Sequence, residues 1–276
     1  MTRDPLRVAV FASGGGTNFQ ALVEHTRAGG FSGSSGSSGS GGSWRPVLLV
    51  SDREGAGALE RARAAGIDTA VVPTLGRPPA EVAQETVTLL EAHRIDALLL
   101  AGYLKLVPAE VVHRHSGRVA NIHPALLPAF GGAGMYGMNV HRAVLASGAC
   151  LTGATVHLVN EEYDRGTIVA QWPVPVLPGD SAEDLAARVL AVEHDLYPRT
   201  VDHMAEAWSE GRTPGPLVEP GDAFRLAEDR CTSDAPGHHD WRDAASEIDT
   251  SEIAASEIAA SEIEESEIQE SERETS

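Results

Sequence analysis

The sequence predicts an α/β fold: a doubly wound, mostly parallel sheet, completed by a C-terminal antiparallel hairpin and a long helix. Three observations carry this. Short, wholly apolar runs recur, LRVAVFA at 6–12, PVLLVS at 46–51 and DALLLA at 96–101; such runs suit strands buried on both faces. Helical stretches alternate with them through short links, which argues for right-handed crossovers. A glycine turn, SGGGTN at 13–18, leaves the first run and opens the first helix.

Taken in order, Leu6 to Ala12 is the first strand and Phe19 to Arg27 the first helix. Ser32 to Ser43 is pure Gly/Ser, expected to be a flexible loop where a connection is normally shorter. Pro46 to Ser51 is the second strand. Ala56 to Ala65 is a helix closed by Gly66, a suitable C-terminal glycine. Thr69 to Val72 is a short strand. Pro79 to His93 is a helix with Val82, Val87 and Leu90 on one side. Asp96 to Ala101 is the fourth strand, and Gly102 to Val107 leaves its end. Pro108 to His115 is a short helix and Arg118 to His123 the fifth strand.

Phe130 to Asn139 is a glycine-rich loop, and Val140 to Ala146 a helix. Thr152 to Asn160 and Thr167 to Val176 are strands joined by the acidic turn Glu161 to Gly166, so they should form a hairpin. Ser181 to Gly211 is a long helix. Ser181 opens it with Asp184 three residues on, and Pro198 is expected to kink it. Prolines 214, 216 and 220 mark the end of the folded part. The division expected is a domain at 1–215 and an acidic, repetitive, disordered tail at 216–276. In that tail SEI recurs every five residues from Ser246 to Ser266. Five residues advance about 500° on a helix, so its isoleucines spiral and form no apolar stripe.

Composition narrows the function. Hydrophobic residues make up 42% and aromatics 5%, so the core should be aliphatic. Net charge is −19, of which −10 falls in 244–276, where eleven acids face one base. No basic patch invites nucleic acid. Cys150 and Cys231 give neither a disulfide framework nor a metal spacing, which fits a reducing cytoplasm. No signal peptide and no run of about 20 apolar residues for a membrane span is visible.

Two stretches carry chemistry. In RVANIHPALLP at 118–128, Asn121 and His123 sit two apart, so on a strand both face the same way; Pro124 keeps His123 extended. An amide donor and an imidazole then project from a strand end, where α/β sheets bind ligands. Alone, the pair also suits a turn Asn and a backbone-satisfied His. The glycine turn suits a phosphate cradle of backbone N–H groups at a helix N-terminus, or a plain flexible turn. Phe19 spoils a dinucleotide fingerprint, and no Lys-Ser/Thr follows to make a Walker turn.

Six motifs in order resemble the phosphoribosylglycinamide formyltransferase (glycinamide ribonucleotide transformylase) family: ASGGGTN at 12–18, RARAAGI at 61–67, LLAGYLKLV at 99–107, NIHPALLP at 121–128, GATVHLVNEEYDRG at 153–166 and VLPGDSAEDLAARVLAVEHDLYP at 176–198. The resemblance covers about Leu6 to Gly211. It implies a Rossmann-like formyltransferase fold and formyl transfer from 10-formyltetrahydrofolate to the amine of glycinamide ribonucleotide in purine biosynthesis. It implies that Asn121 donates to the formyl oxygen, that His123 supports that oxygen and proton transfer, and that Asp164 stabilises the imidazolium and raises its pKa. Gly15, Gly16, Thr17 and Asn18 would hold the phosphate, with Thr17 where relatives usually have Ser, and Glu193 would contact the ribonucleotide. The folate would lie against Leu104, Lys105, Leu106 and Val107, Asn121 and the turn Asn160 to Asp164, with Arg61 a further folate contact.

The same resemblance leaves His157 either beside the site or a core histidine, reads His141 as structural, and lets Met135, Tyr136 and Gly137 shape the substrate entrance. No metal is implied, and the protein is expected to be a monomer or homodimer. The related formyltetrahydrofolate deformylases usually carry an N-terminal regulatory domain, for which the start at Leu6 leaves no room. Methionyl-tRNA formyltransferases carry a basic C-terminal domain, unlike this acidic end. A non-catalytic nucleotide-binding module would leave Asn121, His123 and Asp164 unexplained. A nicotinamide-dependent oxidoreductase lacks the complete glycine fingerprint, with Asp52 the sole acid in place after the second strand.

Overall fold

The computed structural model describes residues 4–29 and 43–217. The expectations for the Gly/Ser stretch (Ser43 aside) and for the tail beyond Leu217 lie outside the described residues. Seven strands form one sheet: β1 (Leu6–Phe11), β2 (Trp44–Ser51), β3 (Asp68–Val71), β4 (Ala97–Leu100), β5 (Val119–His123), β6 (Leu151–Leu158) and β7 (Ile168–Pro175). Their order is β3-β2-β1-β4-β5-β6-β7. β1 to β5 pair in parallel, while β6 pairs antiparallel with both β5 and β7. The parallel sheet and the hairpin are those expected from the apolar runs and the acidic turn.

The helices are α1 (Thr17–Arg27), α2 (Gly57–Ala65), α3 (Pro79–Ala92), α4 (Ala109–Arg114), α5 (Met138–Ser147) and α6 (Ala182–Ser209). Alternation along β1 sorts them. Val8 and Val10 pack with Phe19, Leu22, Leu59, Val144 and Val201, so α1, α2, α5 and α6 cover one face. Ala9 and Phe11 pack with Val82, Leu90 and Val111, so α3 and α4 cover the other. α1 starts two residues earlier than expected, because Gly16 takes the left-handed conformation as its N-cap. α5 also starts earlier: Gly137, at φ 52°, ends the loop, and Met138 is buried against Ala186 and Ala187.

β1 lies between β2 and β4, so the chain leaves β1 towards one side and returns through β4 on the other. Helices therefore diverge at the C-terminal edge between them, and a crevice opens there. α6 spans its floor. The Tyr197 hydroxyl lies 3.1 Å from the carbonyls of Leu100 and Ala120, tying α6 to β4 and β5. Ser181 accepts from the Asp184 N–H at 3.0 Å and Asp184 accepts from the Ser181 N–H at 3.0 Å, the reciprocal cap expected. The helix runs on through Pro198. Among the described residues no helix is long and apolar enough to cross a membrane.

Candidate active site

A cleft of about 370 Å³ occupies the crevice. One end is the glycine turn, Gly14 to Asn18. Gly16 sits at φ 84°, a conformation glycine adopts without strain, and α1 begins immediately after it. Asn18, in the first turn, donates its Nδ2–H to Glu193 Oε2 at 2.8 Å. Glu193 is buried, and burial pushes its pKa up to about 7, partly offset by the Asn18 bond. Backbone donors, a helix N-terminus and a carboxyl that titrates near neutrality therefore meet at this end.

The other end is the strand end of β5. Asn121 and His123 share a face of the strand, and Asn121 stands directly opposite His157 on β6. Cross-strand partners at this spacing touch, and Asn121 Nδ2 lies 3.1 Å from His157 Nε2. His157 Nδ1 lies 3.0 Å from the Leu158 carbonyl, an acceptor, so Nδ1 carries the proton. In the neutral ring Nε2 then accepts, and this fixes which way the Asn121 amide points: one N–H to His157, the other left for the cleft that Asn121 lines.

His123 donates its Nε2–H to the Phe130 carbonyl at 2.8 Å, and its Nδ1 lies 3.6 Å from Asp164 Oδ2. Asp164 comes from the turn between β6 and β7. It holds φ 54°, which Asp tolerates better than most residues, and accepts the Gly132 N–H at 2.9 Å. A Cβ on Gly131 would lie 2.5 Å from Leu127 Cδ2 and 3.1 Å from Asp164 Cβ, so glycine lets the loop close over the acid. Burial raises the Asp164 pKa, but the His157 ring 3.5 Å away, the nearby His123 and the Gly132 N–H together hold it below the usual carboxylate range. It is an anion at neutral pH.

For His123 opposing influences compete. Burial, the largest cause, pushes its pKa below the ordinary histidine value; Asp164 and the Phe130 carbonyl pull it up, and His157 pushes it further down. The upward pull of Asp164 is there, but desolvation outweighs it.

The model of the formyl transferase family matches residues 6–201. The chain belongs to that family. A chloroplastic phosphoribosylglycinamide formyltransferase of Arabidopsis thaliana is 45% identical over 216 residues, covering 77% of this chain and 70% of that protein. The crystal structure of glycinamide ribonucleotide transformylase 1 from Symbiobacterium toebii aligns with a TM-score of 0.65 at 36% identity, over 73% of this chain and 88% of that one. That of phosphoribosylglycinamide formyltransferase from Brucella melitensis gives 0.64 at 39% identity, over 73% and 96%.

In this formyl transferase the wall after β4 is built from Leu104, Lys105, Leu106 and Val107, and across the cleft stand Asn160 and Asp164. Leu104 is held by its N–H to Ser13 Oγ at 3.0 Å, and Leu106 is exposed. Thr17, Gly15, Gly16 and Asn18 line the opposite end, and Met135, Tyr136 and Gly137 line the mouth. Arg61 is placed differently from the other residues named for the folate. It is not among the residues lining the cleft; its Nε–H reaches the Gly15 carbonyl at 2.9 Å, behind the glycine turn. A helix residue with a long side chain can serve either neighbouring loop, and here it serves the turn after β1.

Sequence reading took His141 as structural. It lies in the first turn of α5 and lines the cleft, buried, with its pKa pushed down to about 4 by burial and by His123. The available signal was its position directly after the glycine-rich loop of the site. His157, left open between two readings, belongs beside the site, because it orients Asn121 and lies 3.5 Å from Asp164.

Proposed function

We propose that this chain transfers the formyl group of 10-formyltetrahydrofolate to the amine of glycinamide ribonucleotide, a step of purine biosynthesis. The observation that carries this is one cleft with an anion cradle at one end and Asn121, His123 and Asp164 at the other. The family membership and the names of the relatives support the same reading.

In this reaction the amine nitrogen bonds to the formyl carbon and the bond from that carbon to N10 of the folate breaks. One proton leaves the amine and one arrives at N10, so the transfer is balanced without another reactant. The barrier lies in the tetrahedral intermediate, whose oxygen carries negative charge. The free N–H of Asn121 is the fixed donor for that oxygen, pre-aimed by His157; such donors lower the barrier most when they need no reorganisation. His123 Nδ1, 3.6 Å from Asp164, is the mobile proton site. A depressed pKa leaves it neutral at rest, able to take the amine proton, and the Asp164 anion stabilises the imidazolium that results. That proton is then passed to N10.

The ribonucleotide phosphate sits on the N–H groups of Gly15, Gly16 and Thr17, with Asn18 and Glu193 towards the sugar. The flat folate ring lies on the wall 104–107 and under the turn 160–164, where apolar side chains and backbone groups suit it. The two cysteines, Cys150 being an exposed free thiol, support a reducing compartment, and we place the reaction in the cytoplasm; the Arabidopsis relative is by name chloroplastic.

The test is consumption of 10-formyltetrahydrofolate by the purified protein with and without glycinamide ribonucleotide. Tetrahydrofolate forming only with the ribonucleotide is the expected result. Equal formation without it makes water the acceptor and overturns the transferase reading.

A further inference from the structure

Two successive carbonyls of the glycine turn are held by one helix. The Gly14 carbonyl accepts the Ala58 N–H at 3.1 Å, and the Gly15 carbonyl accepts from Arg61 Nε at 2.9 Å. Ala58 and Arg61 both belong to α2. A trans peptide points its N–H opposite to its C=O. Holding the Gly14 carbonyl on the α2 side therefore turns the Gly15 N–H away from α2, and holding the Gly15 carbonyl does the same to the Gly16 N–H. The side away from α2 is the cleft, which both glycines line. Neither N–H has an acceptor among the described residues.

Gly16, at φ 84° and ψ 30°, supplies the left-handed step that lets successive N–H groups converge on one anion. The contact behind the turn has no slack. A Cβ on Gly16 would lie 2.7 Å from Ala58 Cα, and one on Gly57 would lie 3.3 Å from Gly15 Cα. Backbone meets backbone here, so the turn cannot be re-aimed without moving α2. The Nε–H of a guanidinium, fixed in its plane, suits a brace that must hold one direction.

We propose that Arg61 is a positioning residue for phosphate recognition: from behind the turn it sets the direction of the Gly15 and Gly16 N–H groups and never touches the substrate. This rests on the ribonucleotide reading above and adds to it a residue that acts through the backbone. Its signature is selectivity for the phosphate. Loss of the brace weakens binding of the phosphate-bearing acceptor and leaves the folate end and the reacting groups as they were.

The experiment is Arg61→Met in the full chain, with thermal unfolding recorded to verify folding. Losing one charge-assisted hydrogen bond that aims the cradle corresponds to about a tenfold effect. The expected result is a KM for glycinamide ribonucleotide raised about tenfold, with the folate KM unchanged and turnover of the dephosphorylated glycinamide riboside equal to wild type. Should the Met variant fail to fold, Arg61→Lys keeps stem and charge but not the fixed Nε–H, and the same phosphate-selective defect is expected, smaller. An unchanged ribonucleotide KM, a raised folate KM, or an equal loss with both acceptors overturns the proposal. Calorimetric binding of ribose 5-phosphate to wild type and variant tests the brace independently of turnover. If the wild-type protein forms no formylated product yet binds ribose 5-phosphate about tenfold more tightly than the variant, the functional reading fails and the brace stands; equal binding overturns the brace.

Discussion

The two ends of the cleft are made from different material. The end we assign to the phosphate is backbone: Gly15 and Gly16 offer N–H groups, and what matters is how the peptide planes are held from behind. The end we assign to the reaction is side chain: Asn121, His123 and Asp164 come from β5 and from the β6–β7 turn, and each is held by another side chain or by the loop 130–132. A backbone site recognises charge and shape and is indifferent to pH, but it tolerates almost no added atom. A side-chain site moves protons, so it depends on protonation states that burial and neighbours contest. A formyl transfer between two bound substrates needs both kinds, one to hold an anion still and one to change charge during the reaction.

This contrast can be broken first at the reacting end. His123→Ala removes the mobile proton site and should lower kcat on the order of 10³-fold, with both KM values within a few-fold of wild type and thermal unfolding little changed. Steady-state kinetics on the folded variant decide it; near-normal turnover would end the assignment of His123.

Glu193 tests the boundary between the ends, since it titrates yet is bonded to Asn18 beside the backbone cradle. Its pKa in the folded protein is about 7 against an ordinary 4.5. A raised carboxyl pKa means the folded state holds the proton more tightly than the unfolded state. Stability from this group is therefore full below 4.5 and is lost as pH rises through 7. Relative to Glu193→Gln, which has no such titration, wild type should lose about 3 kcal/mol across that window. Denaturant unfolding of both proteins at several pH values measures it, and parallel pH profiles would contradict the buried, proton-holding carboxyl.

The phosphate end should break differently. Gly16→Ala puts a Cβ 2.7 Å from the Ala58 backbone on a residue at φ 84°. Strain of about 2 kcal/mol is expected, read as a lower unfolding temperature, together with a ribonucleotide KM raised about tenfold and an unchanged folate KM. A uniform fall in kcat with no change in either KM would show that this turn does not hold the phosphate.

Legibility in the sequence followed the same division. The parallel sheet and its crossovers could be read because each apolar run and each helix is local. Asn121 and His123 could be paired because a strand puts residues two apart on one face. Asp164 entered through the resemblance alone, since nothing in an acidic turn says which strand end it will fold over. Arg61 was named as a folate contact through the resemblance; its reach to the Gly15 carbonyl was not legible, because a helix position fixes a face but not which of two neighbouring loops a long side chain meets. The upward pull of Asp164 on the His123 pKa came with the resemblance and is present in the structure; burial, which outweighs it, is a property of the packed chain.

His157 is where the reacting end can be probed without touching a reacting group. Its Nδ1–H is committed to the Leu158 carbonyl, so in the neutral ring its Nε2 is an acceptor, and that acceptor holds the Asn121 amide at 3.1 Å. His157→Leu keeps the apolar packing of a residue only 2% exposed but removes the acceptor. The amide is then free to turn its oxygen towards the cleft, where it would repel the developing oxyanion. Losing one pre-aimed neutral hydrogen bond is worth about 1.4 kcal/mol, roughly tenfold in kcat, with both KM values unchanged. Histidine-to-glutamine at the same position restores an acceptor and should recover part of the loss. If Leu and Gln variants lose rate equally, or if the loss appears in KM, His157 is merely filling space, and Asn121 is aimed by something else.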